Sequence, residues 1–514
     1  MLSHVWSSTT IGVDALPVEI ETHIDRGMPG YTVVGLPSGA VRECRERIWA
    51  ALKNTGLPVP RGAITINLAP ADVRKEGAAL DLPIAMGLLA ASAGCFDPER
   101  LDAFFIAGEL ALDGTVRPVA GVLPMTLRAR EEGKRGVLVP EPNASEAALV
   151  EGLEVYPIRT ILDAYRLLAG EPGAPEPYRR DLQEVFAEAR RETVDFADVR
   201  GQENVKRALE VAAAGGHNVI MIGPPGAGKT MLARRLPTIL PPLTPDEALE
   251  TTKIHSVGGK LRNGHGLIAT RPFRAPHHTI SDAGLCGGGA NPRPGEISLA
   301  HNGVLFLDEL PEFKRQVLEV LRQPLEDGFV TISRAQLTVE YPARFMLVAS
   351  MNPCPCGHLN DPHRACVCSP PQVHRYLSKI SGPLMDRIDL HIEVTPVPIE
   401  ELQRRGGGEP SARVRARVEA ARRRQAERFR DEPGVYCNAQ MGSRLVRLHC
   451  QPDDEGQRLL KLAIQRLGLS ARAYDRILKV ARTIADLAGA DAIGPEHLAE
   501  AIQYRSLDRS WWQG

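Results

Sequence analysis

The sequence predicts a multidomain α/β protein, and three observations lead to that fold class. The chain has 514 residues, which corresponds to about three domains at roughly 100–200 residues each. Continuous apolar runs that end in polar loops recur in its middle part, as is typical of a parallel sheet covered on both faces. The part before them mixes short strands with helices, and the part after them is helical and rich in arginine.

The predicted domain boundaries follow these changes. Residues 1–168 are expected to form an α+β domain, and residues 169–195 a linker rich in proline and glycine. Residues 196–398 are predicted to form the α/β core, and residues 399–514 a C-terminal helical lid domain with 3.6-residue periodicity. Within the first domain, strands are predicted at 63–68 and 104–108, and helices at 80–91 and 125–132.

Composition and charge make a cytoplasmic protein the expectation. The formal net charge is -1, so any surface for nucleic acid has to be local. No stretch reaches the ~20 apolar residues of a membrane span, and the first residues lack the basic-then-apolar pattern of a signal peptide. The nine cysteines, an odd number, argue against a disulfide framework.

A glycine-rich loop between a buried strand and a helix is the first functional motif. The pattern G-x-x-x-x-G-K-[ST] is formed by Gly223, Pro224, Pro225, Gly226, Ala227, Gly228, Lys229 and Thr230. In such a loop, backbone N–H groups and a helix N-terminus surround phosphate groups. We expect Lys229 to contact the β and γ phosphates of ATP, and Thr230 to hold Mg²⁺. The alternative interpretation of this motif is an ordinary glycine-rich turn. Such a turn does not need a buried strand before it and a helix after it.

Polar residues end the next two apolar runs. Asp308 and Glu309 follow residues 304–307, and Asn352 ends the strand after residues 344–349. Open α/β sheets bind ligands at the carboxyl ends of their strands. Asp308 is therefore expected to orient Mg²⁺, Glu309 to activate the attacking water, and Asn352 to position that water. If each residue is considered alone, Asp308 and Glu309 could belong to a charged loop, and Asn352 could be a turn residue.

The order of these motifs resembles that of AAA+ ATPases. Residues 297–309 and 381–390 resemble the magnesium-chelatase and MCM-helicase branch of that superfamily. In that branch the arginine that matches Arg387 acts in trans on the ATP of the neighbouring subunit. Residues 469–474 resemble the sensor-2 segment, which makes Arg472 a second phosphate contact. The resemblance implies a ring, a homo-hexamer. Without the resemblance, Arg387 and Arg472 are two arginines among many in the chain.

The first domain resembles the proteolytic domain of Lon within residues 63–132. Lon proteases place a nucleophilic serine shortly after a Lys-acidic-Gly turn, where this chain has Ala78 and Ala79. The lysine of the Lon dyad would fall near Leu123. Because a serine nucleophile needs an adjacent base, we predict no peptidase activity. The domain is then a scaffold for ring assembly or for guiding nucleic acid.

The three parts together resemble the ComM/YifB family of bacterial magnesium-chelatase-like ATPases over nearly the full chain. Specific matches are Gly-Leu-Pro at 35–37, the segment 271–279 and Asn-Pro-Cys-Pro-Cys-Gly at 352–357. The family is implicated in natural transformation, as a hexameric DNA helicase that promotes branch migration. The resemblance therefore implies ATP and Mg²⁺ as cofactors and single-stranded or branched DNA as the partner.

Four of the nine cysteines lie close together, in the loop 354–368. The two pairs are Cys354 with Cys356, and Cys366 with Cys368. Four thiolates suit tetrahedral Zn²⁺, although the C-x-C spacing is tighter than the usual C-x₂-C. His358 and His363 are alternative ligands, and four reduced thiols are the alternative to a metal site. Since four protein ligands leave no open position, a structural role behind Asn352 is predicted.

Three segments are candidates for contacts with DNA. Residues 402–430 contain ten arginines and three glutamates, which suits either phosphate binding or a solvated helix face. Residues 268–296 and a predicted hairpin at 329–340 lie where the chelatase/MCM branch inserts pore loops. The candidate residues in these inserts are Arg271, Arg274, His277, His278 and Arg334. The paired histidines equally suit a structural role.

These inferences predict ATP-dependent translocation on DNA that drives strand exchange at branched junctions. The alternative is a chelatase-type AAA+ remodeller of a protein partner, without DNA, which would have the same ATPase site. An inactive structural ring is a third class, and the presence of Lys229, Asp308 and Glu309 argues against it. The salt dependence of DNA binding separates the first two, because phosphate contacts give a steep slope.

Overall fold

A computed structural model describes most of the chain. The described residues are 2–180, 194–261, 266–289, 292–334, 337–359, 361, 364–398, 400–401, 407–467 and 470–505, with the backbone alone at Arg334, Leu337 and Leu467. Among the helices of these ranges, none has both the length and the apolar character needed to cross a membrane.

A seven-stranded mixed sheet forms the centre of the N-terminal region, residues 2–169. The strands of this region are β1 (Leu2–Ile11), β2 (Asp14–Asp25), β3 (Gly30–Val34), β4 (Ala63–Ala69), β5 (Phe104–Ile106), β6 (Glu109–Leu110), β7 (Val116–Arg117), β8 (Gly136–Pro140) and β9 (Glu154–Ile158). Their order in the sheet is β3-β4-β2-β1-β5-β8-β9, and β6 pairs with β7. A two-residue turn at Gly12 joins β1 to β2, which pair antiparallel, whereas β5, β8 and β9 run parallel.

Helices cover this sheet. Their bounds are Gly39–Arg42, Cys44–Asn54, Asp81–Ala93, Pro98–Asp102, Val122–Glu131, Ala144–Ala147 and Ile161–Ala169. The helix Asp81–Ala93 is buried on nearly every side because its sequence is apolar almost throughout, and it packs across β1 and β2. The strands predicted at 63–68 and 104–108 and the helices predicted at 80–91 and 125–132 are confirmed, with ends shifted by up to three residues.

The central region, residues 194–401, contains a five-stranded parallel sheet and two short hairpins. Its strands are β10 (Val219–Ile222), β11 (Phe273–Arg274), β12 (Gly287–Gly288), β13 (Arg293–Pro294), β14 (Val304–Leu307), β15 (Phe329–Arg334), β16 (Leu337–Pro342), β17 (Met346–Met351) and β18 (Leu390–Glu393). The sheet order is β11-β14-β17-β10-β18, and all neighbours are parallel. The hairpin predicted at 329–340 is confirmed as β15–β16.

Helices lie on both faces of the parallel sheet, which is why its strands are apolar runs. Helix bounds in this region are Glu203–Gly215, Lys229–Ile239, Pro245–Val257, Asp282–Cys286, Glu296–Leu299, Arg315–Glu319, Arg322–Asp327, Pro370–Leu377 and Gly382–Met385. Along β10, Val219 and Met221 face a cluster that contains Leu209, while Ile220 and Ile222 face a second cluster. Each side chain buried in this way contributes about 1.5–3 kcal/mol.

The C-terminal region, residues 407–505, is helical as predicted. Its helices are Ser411–Arg428, Ser443–His449, Asp454–Leu467, Ala471–Ala488 and Pro495–Gln503. Single turns of 3-10 helix occur at Glu141–Asn143, Phe196–Asp198, Leu310–Glu312 and Asn438–Gln440. Val418 of the first helix packs with Leu209 beneath the parallel sheet, so this region closes one face of the central region. The predicted multidomain α/β fold class is confirmed.

Among the described residues, helix packing, the β1–β2 turn and the ion pair Lys253–Asp14 join the N-terminal region to the central region. The helix Val122–Glu131 packs against Pro245–Val257, and Leu123 and Leu243 belong to one buried cluster. The backbone N–H of Leu123 also donates to the Ser256 hydroxyl at 3.4 Å. At the second contact, the β1–β2 turn lies on the hairpin β15–β16, since a Cβ added to Gly12 would lie 2.7 Å from Cγ1 of Val339.

Candidate functional site

The glycine-rich loop lies between the end of β10 and the helix Lys229–Ile239. Gly226 and Gly228 have φ of +81° and +90°, a left-handed backbone that glycine adopts at little cost. Gly223 is required for close packing, because an added Cβ would lie 2.1 Å from the carbonyl oxygen of Val394. The loop therefore presents its backbone at the N-terminus of a helix, where the helix dipole attracts anions.

Lys229 is buried at the centre of this loop. Its ammonium group donates to the carbonyl oxygens of Gly223 at 2.6 Å and Pro224 at 2.9 Å, and to Oδ1 of Asn352 at 3.0 Å. Burial lowers the pKa of Lys229 to about 8, against the opposing effect of the nearby carboxylates. Phosphate oxygens in the loop would offer this cation stronger partners than the carbonyls it now uses.

A candidate cation site lies beside the lysine. The Thr230 hydroxyl donates to Oδ2 of Asp308 at 2.7 Å, and the Ser350 hydroxyl donates to its other oxygen. A threonine hydroxyl and one carboxylate, with waters and phosphate oxygens, are the ligands that Mg²⁺ accepts in nucleotide sites. The sequence analysis missed Ser350, although it precedes Asn352 by two residues on the strand that pairs with β14.

Glu309 has a strained backbone and a polar neighbour from the insert 268–296. Its φ of +54° lies in the left-handed region, which costs a residue with a side chain about 1–2 kcal/mol. Nδ1 of His278 lies 3.6 Å from its half-exposed carboxylate. The His278 ring lies against the His277 ring, with the two planes tilted by 33°, and meets the edge of Phe313. The insert 268–296, which is predicted to contact DNA, thus lies next to Glu309, which is predicted to activate water.

The two arginines expected to stabilise phosphate charge gather around Glu326. Arg387 is buried, and its guanidinium donates to the carbonyl oxygen of Pro383 at 2.6 Å and to the Glu326 carboxylate. Arg387, with a smaller contribution from Arg472, holds the pKa of Glu326 below its usual range. The carboxylates that act on Lys229 are instead Asp308 and Glu309. The structure thus places both arginines with Glu326 in this chain.

Two of the candidate DNA contacts are already paired inside the chain. The partly buried Arg271 guanidinium donates to the carbonyl oxygens of Pro241 at 2.6 Å and Asn302 at 2.8 Å, and pairs with Glu247. Arg274 makes a bidentate pair with Glu296 at 2.5 and 2.7 Å. These internal partners argue against direct phosphate contacts by either arginine. His277 and His278 remain accessible, and the Arg334 side chain lies outside the described residues.

Several arginines of the helix Ser411–Arg428 hold the C-terminal region to its neighbours. Arg417 pairs with Glu210 and Glu409, and Arg428 pairs with Asp486. Arg422 donates to the carbonyl oxygen of Ala213 at 3.1 Å. Five of the ten arginines of 402–430 thus have partners within the chain, which reduces the positive charge available for phosphate. Residues 402–406 lie outside the described part.

The four cysteines converge behind Asn352 as free thiols. The Sγ–Sγ distances are 3.4 Å for Cys354–Cys356, 3.7 Å for Cys354–Cys366 and 3.6 Å for Cys356–Cys366, and all four Sγ atoms lie within 4.8 Å of one another. Tetrahedral zinc with Zn–S bonds of ~2.3 Å requires S–S edges of ~3.8 Å. The backbone N–H groups of Cys356 and Cys368 donate to Sγ atoms of this cluster at 3.4 Å. The donor set fits Zn²⁺.

Of the two alternative histidine ligands, His358 does not join this cluster. Nδ1 of His358 lies 2.8 Å from the Asp361 carboxylate, so its hydrogen bond goes to that residue. His363 lies outside the described residues. Among the described side chains, the four thiols alone form this candidate metal site.

A cavity of about 830 Å³ is lined by residues on both sides of Gln202 and was not anticipated from the sequence. Gln202, with φ of +61°, lines it and donates to the carbonyl oxygens of Ala227 at 3.1 Å and Thr395 at 2.6 Å. Its Oε1 is buried without a hydrogen-bond partner among the described residues. The volume and position suit the base and ribose of a nucleotide whose phosphates lie in the loop. The available signal was Gly201-Gln202 directly before a helix.

Comparison with known proteins gives matches over nearly the whole chain. Residues 195–402 match the family model described as "Magnesium chelatase, subunit ChlI", residues 20–143 match "Subunit ChlI of Mg-chelatase", and residues 408–505 match "Magnesium chelatase, subunit ChlI C-terminal". The chain is 47% identical over 509 residues to the competence protein ComM of Haemophilus influenzae, covering 99% of this chain and 98% of that protein.

Two further relatives extend this comparison. The protein YifB of Escherichia coli is 45% identical over 512 residues, again with 99% and 98% of the two chains covered. The magnesium-chelatase 38 kDa subunit of Rhodobacter capsulatus is 24% identical over 336 residues, which cover 59% of this chain and 84% of the subunit. The similarity to ComM and YifB therefore includes all three regions of the molecule.

Proposed function

The chain belongs to the ComM/YifB family of magnesium-chelatase-like AAA+ proteins, and from that premise we propose that it is an ATP-hydrolysing motor that acts on DNA. One observation carries the ATPase part of the proposal. Lys229, Asp308 and Asn352 come from three separate chain segments and meet at one sheet edge, where hydrogen bonds of 2.7 and 3.0 Å link them to the loop. The carboxyl ends of parallel strands β10, β14 and β17 bring them together.

Each residue of this edge has a role in hydrolysis. Lys229 would exchange its carbonyl partners for β- and γ-phosphate oxygens, and Thr230 and Asp308 would hold Mg²⁺, which neutralises charge developing on the phosphates. Glu309 would accept the proton of the attacking water, and Asn352 would hold that water in line with the γ-phosphate. The left-handed backbone at Glu309 supports this role, because such strain concentrates at functional sites.

A homo-hexameric ring would complete the site. Arg387 and Arg472 lie with Glu326, and the nearest carboxylates around Lys229 belong to a different cluster. From the resemblance to the chelatase and MCM branch, we infer that Arg387, and with it Arg472, contacts the ATP of a neighbouring subunit. Arg387 would then exchange the Glu326 carboxylate for phosphate oxygens. A cation placed there would stabilise the developing phosphoryl charge.

DNA is the proposed substrate of the motor, and branch migration of recombining strands during natural transformation is its proposed task. One relative that matches over the full chain is a competence protein. The contact of 3.6 Å between His278 and Glu309 supports a direct link between the insert and hydrolysis. DNA bound at the insert would move His278 and thereby change the position of the Glu309 carboxylate.

The test is ATP turnover measured without DNA and with single strands, duplex and a four-way junction. We expect the junction or the single strand to raise turnover several-fold, and Lys229→Ala to remain inactive in every condition. Turnover that is equal in all four conditions, together with the absence of binding to branched DNA, would contradict the DNA part.

A chelatase-type remodeller of a protein partner is the second candidate function. The pairing of Arg271, Arg274 and Arg417 with carboxylates inside the chain favours it, because these cations are not free to bind phosphate. A shallow dependence of DNA affinity on salt would support this alternative, since each phosphate contact adds about 0.9 to the slope for duplex DNA.

A structural Zn²⁺ at Cys354, Cys356, Cys366 and Cys368 is the proposed second metal. The S–S distances support it, and four thiolates leave no coordination position for substrate. We expect about one zinc per chain by mass spectrometry of protein purified without chelator. A content below about 0.2 per chain would remove the proposal.

The N-terminal region is proposed to be a scaffold without peptidase activity. Leu123, which stands where the Lon-type lysine would fall, is fully buried in the contact with the central region. Ala78 and Ala79 offer no nucleophile at the matching turn. ATP-dependent cleavage of casein by the pure protein would contradict this assignment.

A further inference from the structure

The four-cysteine loop, residues 354–368, lies directly against the nucleotide loop. It leaves β17 just after Asn352, and its residue Gly357 has φ of +83°. A Cβ added to Gly357 would lie 2.6 Å from Cδ of Pro225, 3.2 Å from its Cγ and 3.9 Å from Cγ of Asn352. Gly357 of the cysteine loop thus lies against the phosphate-binding loop on one side and Asn352 on the other.

Asn352 lies between the end of β17 and the start of the cysteine loop. It follows the last residue of β17, and the hydrogen bond of its Oδ1 goes to Lys229 at 3.0 Å. The strand before it is tied to the nucleotide loop by the Gly223 N–H, which donates to the carbonyl oxygen of Met351 at 3.2 Å. The Asn352 backbone N–H donates to the Tyr376 hydroxyl, and the residues that follow it, Pro353 and Cys354, are both buried. The position of the Asn352 side chain therefore depends on how the cysteine loop is held.

We propose that the zinc-bound cysteine loop is a positioning clamp that sets Asn352 against the nucleotide loop through the contact of Gly357 with Pro225. This inference rests on the proposed ATPase function. Four thiolates on one metal fix both ends of the loop, since Cys354 and Cys356 begin it and Cys366 and Cys368 end it. With its ends fixed, the Gly357 turn is pressed onto Pro225, and Asn352 cannot retreat from Lys229.

The clamp makes a specific kinetic prediction. ATP is held mainly by backbone N–H groups and Lys229, none of which belongs to the cysteine loop. Asn352 acts on the attacking water, where a displacement of about 1 Å can cost up to ~100-fold in rate. Disturbing the clamp should therefore lower kcat by about 10- to 100-fold and change the affinity for MgATP by less than about threefold.

Gly357→Ala disturbs the clamp, and Gly173→Ala is its matched control. Both glycines have φ of +83°, so the left-handed strain of the substitution is the same. An added Cβ at Gly173 meets no heavy atom of the described structure within 4 Å, whereas at Gly357 it overlaps Pro225. The difference between the two variants isolates the contact with the nucleotide loop.

The experiment measures zinc content, MgATP affinity and kcat for full-length wild type and both variants. We expect Gly357→Ala to keep its zinc and its MgATP affinity and to hydrolyse ATP about 10- to 100-fold more slowly. Gly173→Ala should match wild type in all three measurements. Wild-type hydrolysis by Gly357→Ala, within about twofold, overturns the clamp while leaving the proposed ATPase intact.

A second experiment tests the clamp if the Gly357→Ala variant does not fold. Zinc is stripped from wild type with a chelator and then restored, and circular dichroism follows the fold throughout. Loss of kcat at unchanged MgATP affinity, reversed by zinc, supports the clamp. Unchanged kcat without zinc overturns it, and a zinc-loaded wild type that binds MgATP without hydrolysing it overturns the proposed ATPase and the clamp together.

Discussion

The N-terminal region and the central region each contain a buried lysine that donates to carbonyl oxygens of its own loop. Lys75 donates to the carbonyl oxygen of Pro70, and Lys229 donates to those of Gly223 and Pro224. Burial lowers the pKa of both. The nearby charge differs, since Asp72 acts on Lys75, whereas Asp308 and Glu309 act on Lys229.

The difference shows that a buried lysine is not sufficient for chemistry. Around Lys229, the ends of β14 and β17 add Asp308, Glu309 and Asn352, and Gln202 links the loop to a cavity of about 830 Å³. In the N-terminal region, the position expected for a second reactive group is Leu123, which is packed into the contact between the regions. One region thus keeps its strand ends polar, and the other fills the corresponding space with apolar side chains.

The largest expected effect on ATP turnover concerns Arg387, which is proposed to complete the ATP site of a neighbouring subunit. Arg387→Ala should lower ATP turnover by ~10³-fold, because the cation that stabilises the phosphoryl charge is removed. Turnover by the purified variant, assayed under ring-forming conditions, checks this expectation. Turnover within tenfold of wild type would remove Arg387 from the site.

A mixing experiment separates action in trans from action within one chain. Arg387→Ala and Glu309→Gln subunits are each inactive alone. If Arg387 acts on the neighbour, mixed rings contain interfaces with an intact Glu309 on one side and an intact Arg387 on the other, and turnover reappears. Mixtures that stay inactive, although mixed rings form, would place the arginine in the same chain as the ATP it serves.

Glu309→Gln should have the next largest effect. The amide cannot accept a proton from water, so turnover should fall by about 10²- to 10³-fold while MgATP binding persists. Single-turnover hydrolysis and binding of a fluorescent ATP analogue measure the two quantities. Loss of binding and hydrolysis in equal proportion would contradict the assigned role.

Leu123→Ala probes the packed position in the other region. Deleting its buried side chain should lower the free energy of unfolding by about 2–4 kcal/mol through lost burial and a residual cavity. Urea denaturation measures this loss, and the exposed Leu112→Ala is the matched control with a change near zero. A change below about 0.5 kcal/mol at Leu123 would show that this contact does not hold the regions together.

The smallest expected effect is a dependence of stability on pH at the same contact. Burial raises the pKa of Glu146 to about 7, where it accepts hydrogen bonds from Asn143 and Ser256. The folded state then binds more protons than the unfolded state between about pH 4.5 and 7, so stability falls as pH rises through this window. Stability should level off above the folded pKa.

Glu146→Gln tests this pH dependence, because glutamine imitates the protonated acid. Its advantage in free energy of unfolding over wild type should grow by on the order of 2 kcal/mol from pH 5 to pH 8. Urea denaturation of both proteins at the two pH values supplies the measurement. An advantage that is equal at pH 5 and pH 8 would contradict the raised pKa.

The sequence predicted those site residues whose position follows from chain order alone. Lys229, Asp308 and Asn352 each end an apolar run or follow one, and the carboxyl ends of parallel strands share one edge. Ser350 and Gln202 were missed because their roles depend on which strands pair and on how a loop folds back onto the carbonyl oxygen of Ala227. Such neighbours are properties of the assembled sheet.

Charge was the least informative property of the sequence. Arg271 and Arg274 were candidates for DNA contacts, yet their partners Glu247 and Glu296 lie 24 and 22 residues away along the chain. A count of arginines cannot show which of them are paired, because pairing depends on the tertiary fold. The family relationship, by contrast, follows from motifs that persist in order along the whole chain.

The most direct test of the contrast between the two regions compares the two buried lysines. Steady-state ATP hydrolysis is measured for wild type, Lys229→Met and Lys75→Met, each with a four-way junction present. Methionine removes the charge at nearly constant volume in both loops. We predict that Lys229→Met loses at least ~10³-fold in turnover and that Lys75→Met stays within about twofold of wild type. Comparable losses in both variants, or none in Lys229→Met, would contradict the account.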